Sequence, residues 1–222
     1  VRQAEMSVKE IEDQGTGEGI GKWERCFDCG QRFHGAVNLA LGWACWKAYL
    51  SRPETDNTRT CGMAVLGCAL RGSRPEEALS VLEGHLAVLR RHWPHEEEAS
   101  HHSQINRAIC LFGLGRNDEA LVLWREIYAR DVAIFGSSQE RTLLDGNNLG
   151  MSLNKLELYD EARSLLRDQL LPAARRSLGP DHDTTLKLSH NLAENLYLNP
   201  EQCDDMRDAE SIMQDVVQRR RR

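Results

Sequence analysis

The sequence predicts an all-α chain of about four consecutive helix pairs behind an N-terminal helical cap. A short acidic-acidic-Ala pattern places Ala78, Ala120 and Ala162 at intervals of 42 residues, and a fourth copy follows at Ala209. A second set of small residues lies upstream, inside apolar helical segments, at steps of 41, 42 and 43 residues. Its members are Gly67, Ala108, Gly150 and Ala193. Because two independent markers keep nearly one period, the chain is predicted to be a helical repeat protein.

Each repeat is predicted to consist of two helices, A and B. Helix A carries apolar residues at helical spacing, and helix B begins with Asp or Glu, which suits the positive N-terminus of a helix. Small residues such as Gly150 and Ala162 let the two helices approach closely. Gly136 and Gly179 are expected to end helix B of their repeats, and Pro172 is expected to kink helix B of the third repeat.

Composition divides the chain into three segments. Residues 1–22 are predicted to form an N-terminal helix and a Gly-rich linker, residues 23–55 a CxxC segment with a Trp-rich capping helix, and residues 56–222 the repeat array. Within the array the four repeats are expected at about 56–98, 99–141, 142–183 and 184–222.

The capping helix is expected to pack on the first repeat through one apolar face. Its predicted contact residues recur at spacings of four, three and four, and are Leu39, Trp43, Trp46 and Leu50. Such an aromatic stripe is more typical of a core than of a ligand site.

The bulk composition limits the expected partners. A net charge of −6 gives no reason to expect nucleic-acid binding. The sequence contains no run of 18 apolar residues, so no membrane partner is expected. The polar N-terminus is not a secretory signal, and the seven Cys are scattered and odd in number. These features predict an intracellular, cytoplasmic protein. The chain begins without Met, which indicates a piece of a longer protein.

Two stretches carry a family resemblance. They are "NNLGMSLNKLELYDEARSLL" at 147–166 and "LGPDHDTTLKLSHNLAENLY" at 178–197. Over about residues 56–222 the chain resembles tetratricopeptide (TPR) repeats of the kinesin-light-chain type, in which a Leu-Gly-x-x-His-x-x-Thr link joins successive repeats. The resemblance implies an α-α superhelix, the TPR solenoid. The chain also resembles algal proteins that place such repeats after a zinc-finger segment.

A polar stripe on helix A is the candidate binding surface. Asn106, Asn148 and Asn191 each stand two residues before a small marker, and Ser152 and Asn195 follow the last two by four residues. In the family that the chain resembles, helix A lines a concave groove where Asn side chains hold the backbone of an extended peptide. An amide both donates and accepts hydrogen bonds, which suits a peptide group. The alternative is that these residues stabilise the packing between repeats.

A candidate zinc site lies before the capping helix. Cys26 and Cys29 have the spacing of a thiolate pair, and His34 follows as a third ligand. A zinc knuckle would place Cys where Leu39 stands, and an isolated pair cannot close a structural site. We therefore expect no cofactor, and the alternative is a zinc ion whose remaining ligands lie upstream, as in RING or MYND-like modules.

These observations predict a non-catalytic protein-protein interaction module that binds a protein segment in the concave groove. The glycine-rich stretch at 15–22 lacks the spacing of a phosphate-binding loop, and the four histidines within 92–102 lack zincin spacing. Solvated histidines at a repeat junction are the preferred interpretation. Two alternatives stay open: the substrate-recruiting part of a zinc-finger protein such as a ubiquitin ligase, and a scaffold that self-associates through its uncapped last repeat.

Overall fold

The computed structural model describes residues 3–8, 23, 25, 31–95, 97–200 and 203–220. Residues 3–8 form a short helix, α1. The helices that follow are α2 (Gly35–Tyr49), α3 (Asn57–Leu70), α4 (Pro75–His92), α5 (Glu97–Gly113), α6 (Asn117–Phe135), α7 (Glu140–Lys155), α8 (Tyr159–Arg163), α9 (Leu171–Ser177), α10 (Asp183–Leu198) and α11 (Cys203–Arg220). No β-strand occurs in these ranges, which confirms the all-α prediction. None of the described helices is long and apolar enough to cross a membrane.

The chain divides into two compact units, residues 1–116 and 117–222. In the first unit, α2, α3, α4 and α5 pack on one another in chain order. In the second unit, α6 packs on α7, α7 packs on the helical segment that follows it, and α10 lies against both α7 and α11. Helices that are neighbours in sequence therefore bury their apolar stripes on one another inside each unit, as the repeat pattern predicts.

An aromatic cluster closes the N-terminal end of the first unit. Trp23, Tyr49 and Val65 are buried there, and Ala4 and Val8 of α1 pack against them. The rings of Trp23 and Tyr49 meet edge to face, with centroids 6.2 Å apart. The cluster fixes α1 and α2 onto α3, so the first repeat has a helical cap.

The buried face of α2 differs from the predicted one. Of the four predicted contact residues, Leu50 is 47% exposed and the other three, Leu39, Trp43 and Trp46, are half-buried, whereas Leu41 and Tyr49 are buried. A Cβ on Gly42 would lie 2.5 Å from Cβ of Ala69, so α2 approaches α3 most closely at this glycine. The helix is apolar on most of its circumference, and the glycine rather than the aromatic stripe therefore selects the contact face.

Small residues bring helices A and B together, as predicted. A Cβ on Gly67 would lie 2.8 Å from Cδ2 of Leu82, and one on Gly150 would lie 3.0 Å from Cδ2 of Leu166. Ala162 has no exposed surface. Each leucine thus occupies the space that a larger side chain on helix A would need.

Helix B of the third repeat is interrupted before Pro172. A π-helical segment, Ser164–Leu170, separates α8 from α9. The backbone N–H of Leu171 donates to the carbonyl of Leu166, five residues earlier. Pro172 then stands in the first turn of α9, where a missing N–H is tolerated. The irregularity that Pro172 predicts is therefore present, and it takes the form of a wider, π-helical turn.

The predicted helix ends at Gly136 and Gly179 are confirmed. Both residues have positive φ angles, of 84° and 92°, which glycine adopts without the penalty of a Cβ. The N–H of Gly136 donates to the carbonyl of Val132 at 3.0 Å, which satisfies one of the last carbonyls of α6.

Candidate functional site

A cleft in the first unit is the best candidate for a binding site. Its volume is about 730 Å³, and α3, α4 and α5 line it together with residues near the start of α2. Phe33, Val65, Leu89 and Trp93 supply apolar surface. This size and mixed lining are typical of ligand-binding clefts.

The cleft is basic although the chain is acidic. Its described lining contains Arg32 and Arg71 and includes no Asp or Glu. The whole chain has a net charge of −6. The charge of the lining is therefore opposite in sign to that of the protein.

Arg71 is held in position by an amide. Its Nη1 donates to Oδ1 of Asn106 at 2.5 Å, and Nδ2 of Asn106 donates to Sγ of Cys68 at 3.1 Å. Within the described ranges, no carboxylate lies at ion-pair distance from Arg71. Burial raises the pKa of the nearby Cys110 thiol, and the positive charge of Arg71 partly opposes that rise.

A neutral polar pair forms the floor of the cleft. Nδ1 of His85 lies 2.7 Å from Oγ of Ser103, and both residues are 2% exposed. Burial lowers the pKa of His85 to about 4, because a buried imidazolium loses its hydration. His85 is therefore uncharged at neutral pH, and its ring nitrogen lies within hydrogen-bond distance of Ser103.

The second unit contains a ladder of amides between α7 and α10. Nδ2 of Asn191 donates to Oδ1 of Asn147 at 2.8 Å. Nδ2 of Asn195 donates to Oδ1 of Asn154 at 2.7 Å and to the carbonyl of Tyr159 at 2.9 Å. These four amides are nearly or fully buried, so each needs the partner that the neighbouring helix provides.

A buried arginine extends this ladder to the start of the last helix. Nε of Arg163 donates to Oδ1 of Asn195 at 3.1 Å, and its Nη2 donates to the carbonyl of Asn199. Its Nη1 lies 3.9 Å from a carboxylate oxygen of Asp205. The third and fourth repeats are thus joined by a polar network as well as by apolar contacts.

Comparisons with known proteins bear on the fold. No model of a known protein family matches the sequence, and no curated protein matches it. Several solved structures, however, superpose on the chain. A protein of Podospora anserina, described as a kinesin light chain with nearly identical TPR-like repeats, superposes with a TM-score of 0.66 at 17% identity, over 99% of this chain and 93% of that one.

Two further structures agree with it. A variant of the same Podospora protein gives a TM-score of 0.68 with the same identity and coverage. BtubC (BKLC) of P. vanneervenii gives 0.67 at 14% identity, over 85% of this chain and 75% of that one. The chain has a TPR-like repeat fold. At these low identities the similarity shows the fold and carries no information on a ligand.

The TPR-like helices place the predicted groove residues in different surroundings. Asn106 lines the cleft of the first unit. Asn148 is half-buried on α7, whereas Ser152 is 1% exposed. Asn191 and Asn195 are engaged in the amide ladder, which favours the packing alternative for these two. The peptide-binding role of the set stays a prediction.

Several residues that build these sites were missed from sequence. Arg71 stands four residues after the marker Gly67, where it caps the C-terminal end of α3, and this spacing could have indicated it. Asn147 and Asn154 lie 44 and 41 residues before their partners Asn191 and Asn195. Asparagines that recur at about the repeat period therefore predict hydrogen bonds between the side-chain amides of consecutive TPR-like repeats.

The predicted metal ligands and histidines have separate outcomes. Cys26 and Cys29 lie outside the described residues, and His34 is exposed at the start of α2, where it lines the cleft. The zinc site stays a prediction. At the repeat junction His102 is exposed, but His101 is 2% exposed, so the expectation of solvated histidines is wrong for His101.

Proposed function

We propose that the chain is a protein-interaction module that binds an acidic protein segment in the cleft of the first unit. The TPR-like fold supports binding to a protein, because repeats of this kind present extended surfaces to other chains. Arg71 is the observation that carries the acidic preference. It is a half-buried guanidinium in a cleft without described carboxylates, and a ligand carboxylate would accept its remaining N–H groups in the charge-assisted way that arginine favours.

Asn106 supports an extended backbone as the ligand. A side-chain amide has two N–H donors and two acceptor lone pairs. One donor goes to Cys68 and one lone pair accepts from Arg71. One donor and one lone pair therefore suit the carbonyl and the N–H of a bound peptide group. The apolar surface of Leu89 and Trp93 would contact side chains of the same segment.

The proposed function is binding without catalysis. Ser103 and His85 are within hydrogen-bond distance, as a nucleophile and its base would be. Both are buried to the same degree, and a nucleophile must meet its substrate. Their burial favours a structural contact in the floor of the cleft.

Peptide binding in solution tests the proposal. The probes are an array of decapeptides of graded net charge, followed by titration of the best ones with the full chain. We expect preference for acidic peptides, weaker binding at high salt because screening reduces the attraction, and at least a tenfold loss of affinity in Arg71→Glu. Removing a charge-assisted hydrogen bond costs about 1.5–3 kcal/mol, which corresponds to that loss.

The matched control is Arg90→Glu, since Arg90 is exposed on α4 and is not part of the cleft lining. This variant changes the net charge of the protein equally and should bind acidic peptides almost as well as the wild type. Equal losses in both variants would show that only the overall charge matters, and a preference for neutral or basic peptides would overturn the proposal.

A further inference from the structure

The described lining of the cleft in the first unit includes two cysteine thiols. Cys61 and Cys68 both line it from α3, and their spacing of seven residues places them on one face of that helix, about two turns apart. Both residues are partly exposed, so a small reagent in the cleft can reach them. The cleft therefore holds nucleophilic sulfur beside its basic groups.

The two thiols have opposite hydrogen-bond roles. Nδ2 of Asn106 donates to Sγ of Cys68 at 3.1 Å, so the sulfur of Cys68 is an acceptor. Sγ of Cys61 is instead the donor, to Oδ1 of Asn57 at 3.7 Å. An N–H directed at sulfur stabilises the thiolate, whereas a donated S–H bond is lost when the thiol ionises. Because the thiolate is the nucleophile, Cys68 is the better placed of the two to react.

A positive charge lies next to Cys68. The amide of Asn106 that donates to its sulfur also accepts from Nη1 of Arg71 at 2.5 Å, so one amide group holds the thiol and the guanidinium as neighbours. Cys68 lies in the last turn of α3, where the helix dipole places about half a negative elementary charge. The full positive charge of Arg71 is larger. Electropositive, partly exposed surroundings of this kind are typical of reactive cysteines.

We propose that Cys68 forms a reversible mixed disulfide with glutathione, and that the adduct blocks the cleft to acidic protein segments. The second half of this proposal rests on the function proposed above. Glutathione suits the cleft because it is a tripeptide with two carboxylates, one of which can accept from Arg71. A cleft of about 730 Å³ is large enough for a molecule of this size.

The reaction is a thiol-disulfide exchange with glutathione disulfide. The thiolate of Cys68 attacks one sulfur of the reagent, a bond forms between the two sulfur atoms, and the original disulfide bond breaks. The second glutathione leaves as a thiolate and takes up the proton that Cys68 released. The sulfur of Cys68 is oxidised and that of the departing glutathione is reduced, so the step needs no other oxidant.

The adduct would interfere with an acidic ligand in two ways. Its carboxylates occupy the N–H groups of Arg71 that a ligand carboxylate would use, and their negative charge repels an acidic segment. Excess thiol reverses the exchange and reopens the cleft. The affinity of the cleft would thus follow the ratio of glutathione disulfide to glutathione.

Mass spectrometry of the full, folded chain tests the modification itself. The chain is incubated with glutathione disulfide at neutral pH, quenched with acid and digested with trypsin. Residues 60–71 form one tryptic peptide that contains both Cys61 and Cys68, so fragment ions locate the adduct. Cys68 should react at least about tenfold faster than Cys61 and than Cys110, which is 1% exposed. A Cys68 that reacts no faster than Cys61 overturns the proposal.

A comparison of reagents tests the role of Arg71. Cystamine, a cationic disulfide, should be disfavoured at Cys68 in the folded chain relative to the chain unfolded in urea, and glutathione disulfide favoured. Arg71→Gln should slow the reaction with glutathione disulfide at least about threefold. Arg90→Gln is the matched control, because Arg90 is exposed on α4 and does not line the cleft; its rate should equal that of the wild type. Equal reagent preferences in the folded and unfolded chains would overturn the assignment of glutathione.

Peptide titration before and after treatment tests the regulation. Treated wild type should lose at least about tenfold in affinity for the best acidic peptide, and dithiothreitol should restore it. Cys61→Ser should show the same loss, whereas Cys68→Ser should keep its own affinity through the treatment. Circular dichroism establishes that each variant is folded. Treated wild type that carries the adduct and binds as before overturns the regulation.

The two proposals for the cleft can fail separately. If acidic peptides bind the untreated chain but Cys68 stays unmodified, the glutathione site is wrong and the proposed function stands. If Cys68 reacts as expected but the untreated chain binds no acidic peptide, the proposed function and its regulation are wrong and the modification site stands.

Discussion

Asn195 donates its side-chain amide to Oδ1 of Asn154 at 2.7 Å, and the two residues belong to helix A of consecutive repeats. The same amide also donates to the carbonyl of Tyr159 and accepts from Arg163. Asn195 has no exposed surface. One side chain thus joins α7, α8 and α10 through polar contacts.

Asn195→Ala should destabilise the second unit by about 2–4 kcal/mol, because it leaves several buried groups without their partner. Urea unfolding followed by circular dichroism measures the change. Asn148→Ala is the control, since Asn148 is half-buried on α7, and its cost should stay below about 1 kcal/mol. If the two variants unfold at the same urea concentration, the ladder does not stabilise the repeat interface.

Gly67→Ala should destabilise the first unit by about 1–3 kcal/mol through overpacking. The new methyl group would lie 2.8 Å from Cδ2 and 2.9 Å from Cγ of Leu82, and α3 and α4 would have to separate. Gly113→Ala is the control, because nothing lies within 4 Å of its Cβ position at the end of α5. It should be neutral or stabilising by up to about 1 kcal/mol. Thermal melts of both variants measure the difference, and a neutral Gly67→Ala would contradict the close approach.

His85 should make the first unit sensitive to acid. Its pKa in the folded chain is about 4, below the ordinary value of 6.5, so the unfolded chain binds the proton first. Stability is therefore fully present above pH 6.5 and falls as the pH drops toward 4, by up to about 3 kcal/mol.

Unfolding free energies of the wild type and of His85→Gln, measured from pH 7 to pH 4, check this prediction. The variant cannot take up the proton, so its stability should fall less across that window. His95→Gln is the control at an exposed histidine, and its profile should follow that of the wild type. Parallel profiles for wild type and His85→Gln would contradict the prediction.

Asp56 should stabilise the start of α3. Its carboxylate accepts from the backbone N–H of Thr58 at 2.8 Å and of Arg59 at 3.3 Å. Burial opposes ionisation of Asp56, but these backbone N–H groups, the Thr58 hydroxyl and Arg52 lower its pKa overall. Asp56→Ala should cost about 1 kcal/mol and Asp56→Asn clearly less, because Asn also caps helices well. Denaturant unfolding at neutral pH compares the two, and equal losses would indicate that the charge rather than the cap is responsible.

The repeat architecture could be predicted because it is encoded by spacing alone. Ala78, Ala120 and Ala162 are all fully buried, and a helix pair tolerates nothing larger at such a crossing. The helix ends at Gly136 and Gly179 could also be predicted, because a single glycine with positive φ is enough to end each helix.

The polar contacts could not be predicted from one helix at a time. The sequence places Asn191 on helix A of its repeat but does not show that it pairs with Asn147 of the preceding repeat. Asn191 was therefore predicted to be a groove residue. The face of α2 was mispredicted for a related reason: the helix is apolar on most sides, and the facing Ala69 decides where Gly42 makes contact. Pro172 predicts an irregular helix, but one proline does not specify a wider turn at Ser164–Leu170, where Leu166 and Leu170 are buried.

The amide ladder also has a consequence for how such a chain can evolve. Apolar repeat surfaces are interchangeable, so genes for them can gain, lose or shuffle units with little penalty. Asn147 and Asn154 each fit a neighbour that presents an amide at the matching height. Inserting a unit without amides at these positions between the third and fourth repeats would bury Asn147 and Asn154 without partners, so the ladder restricts which repeats can follow the third.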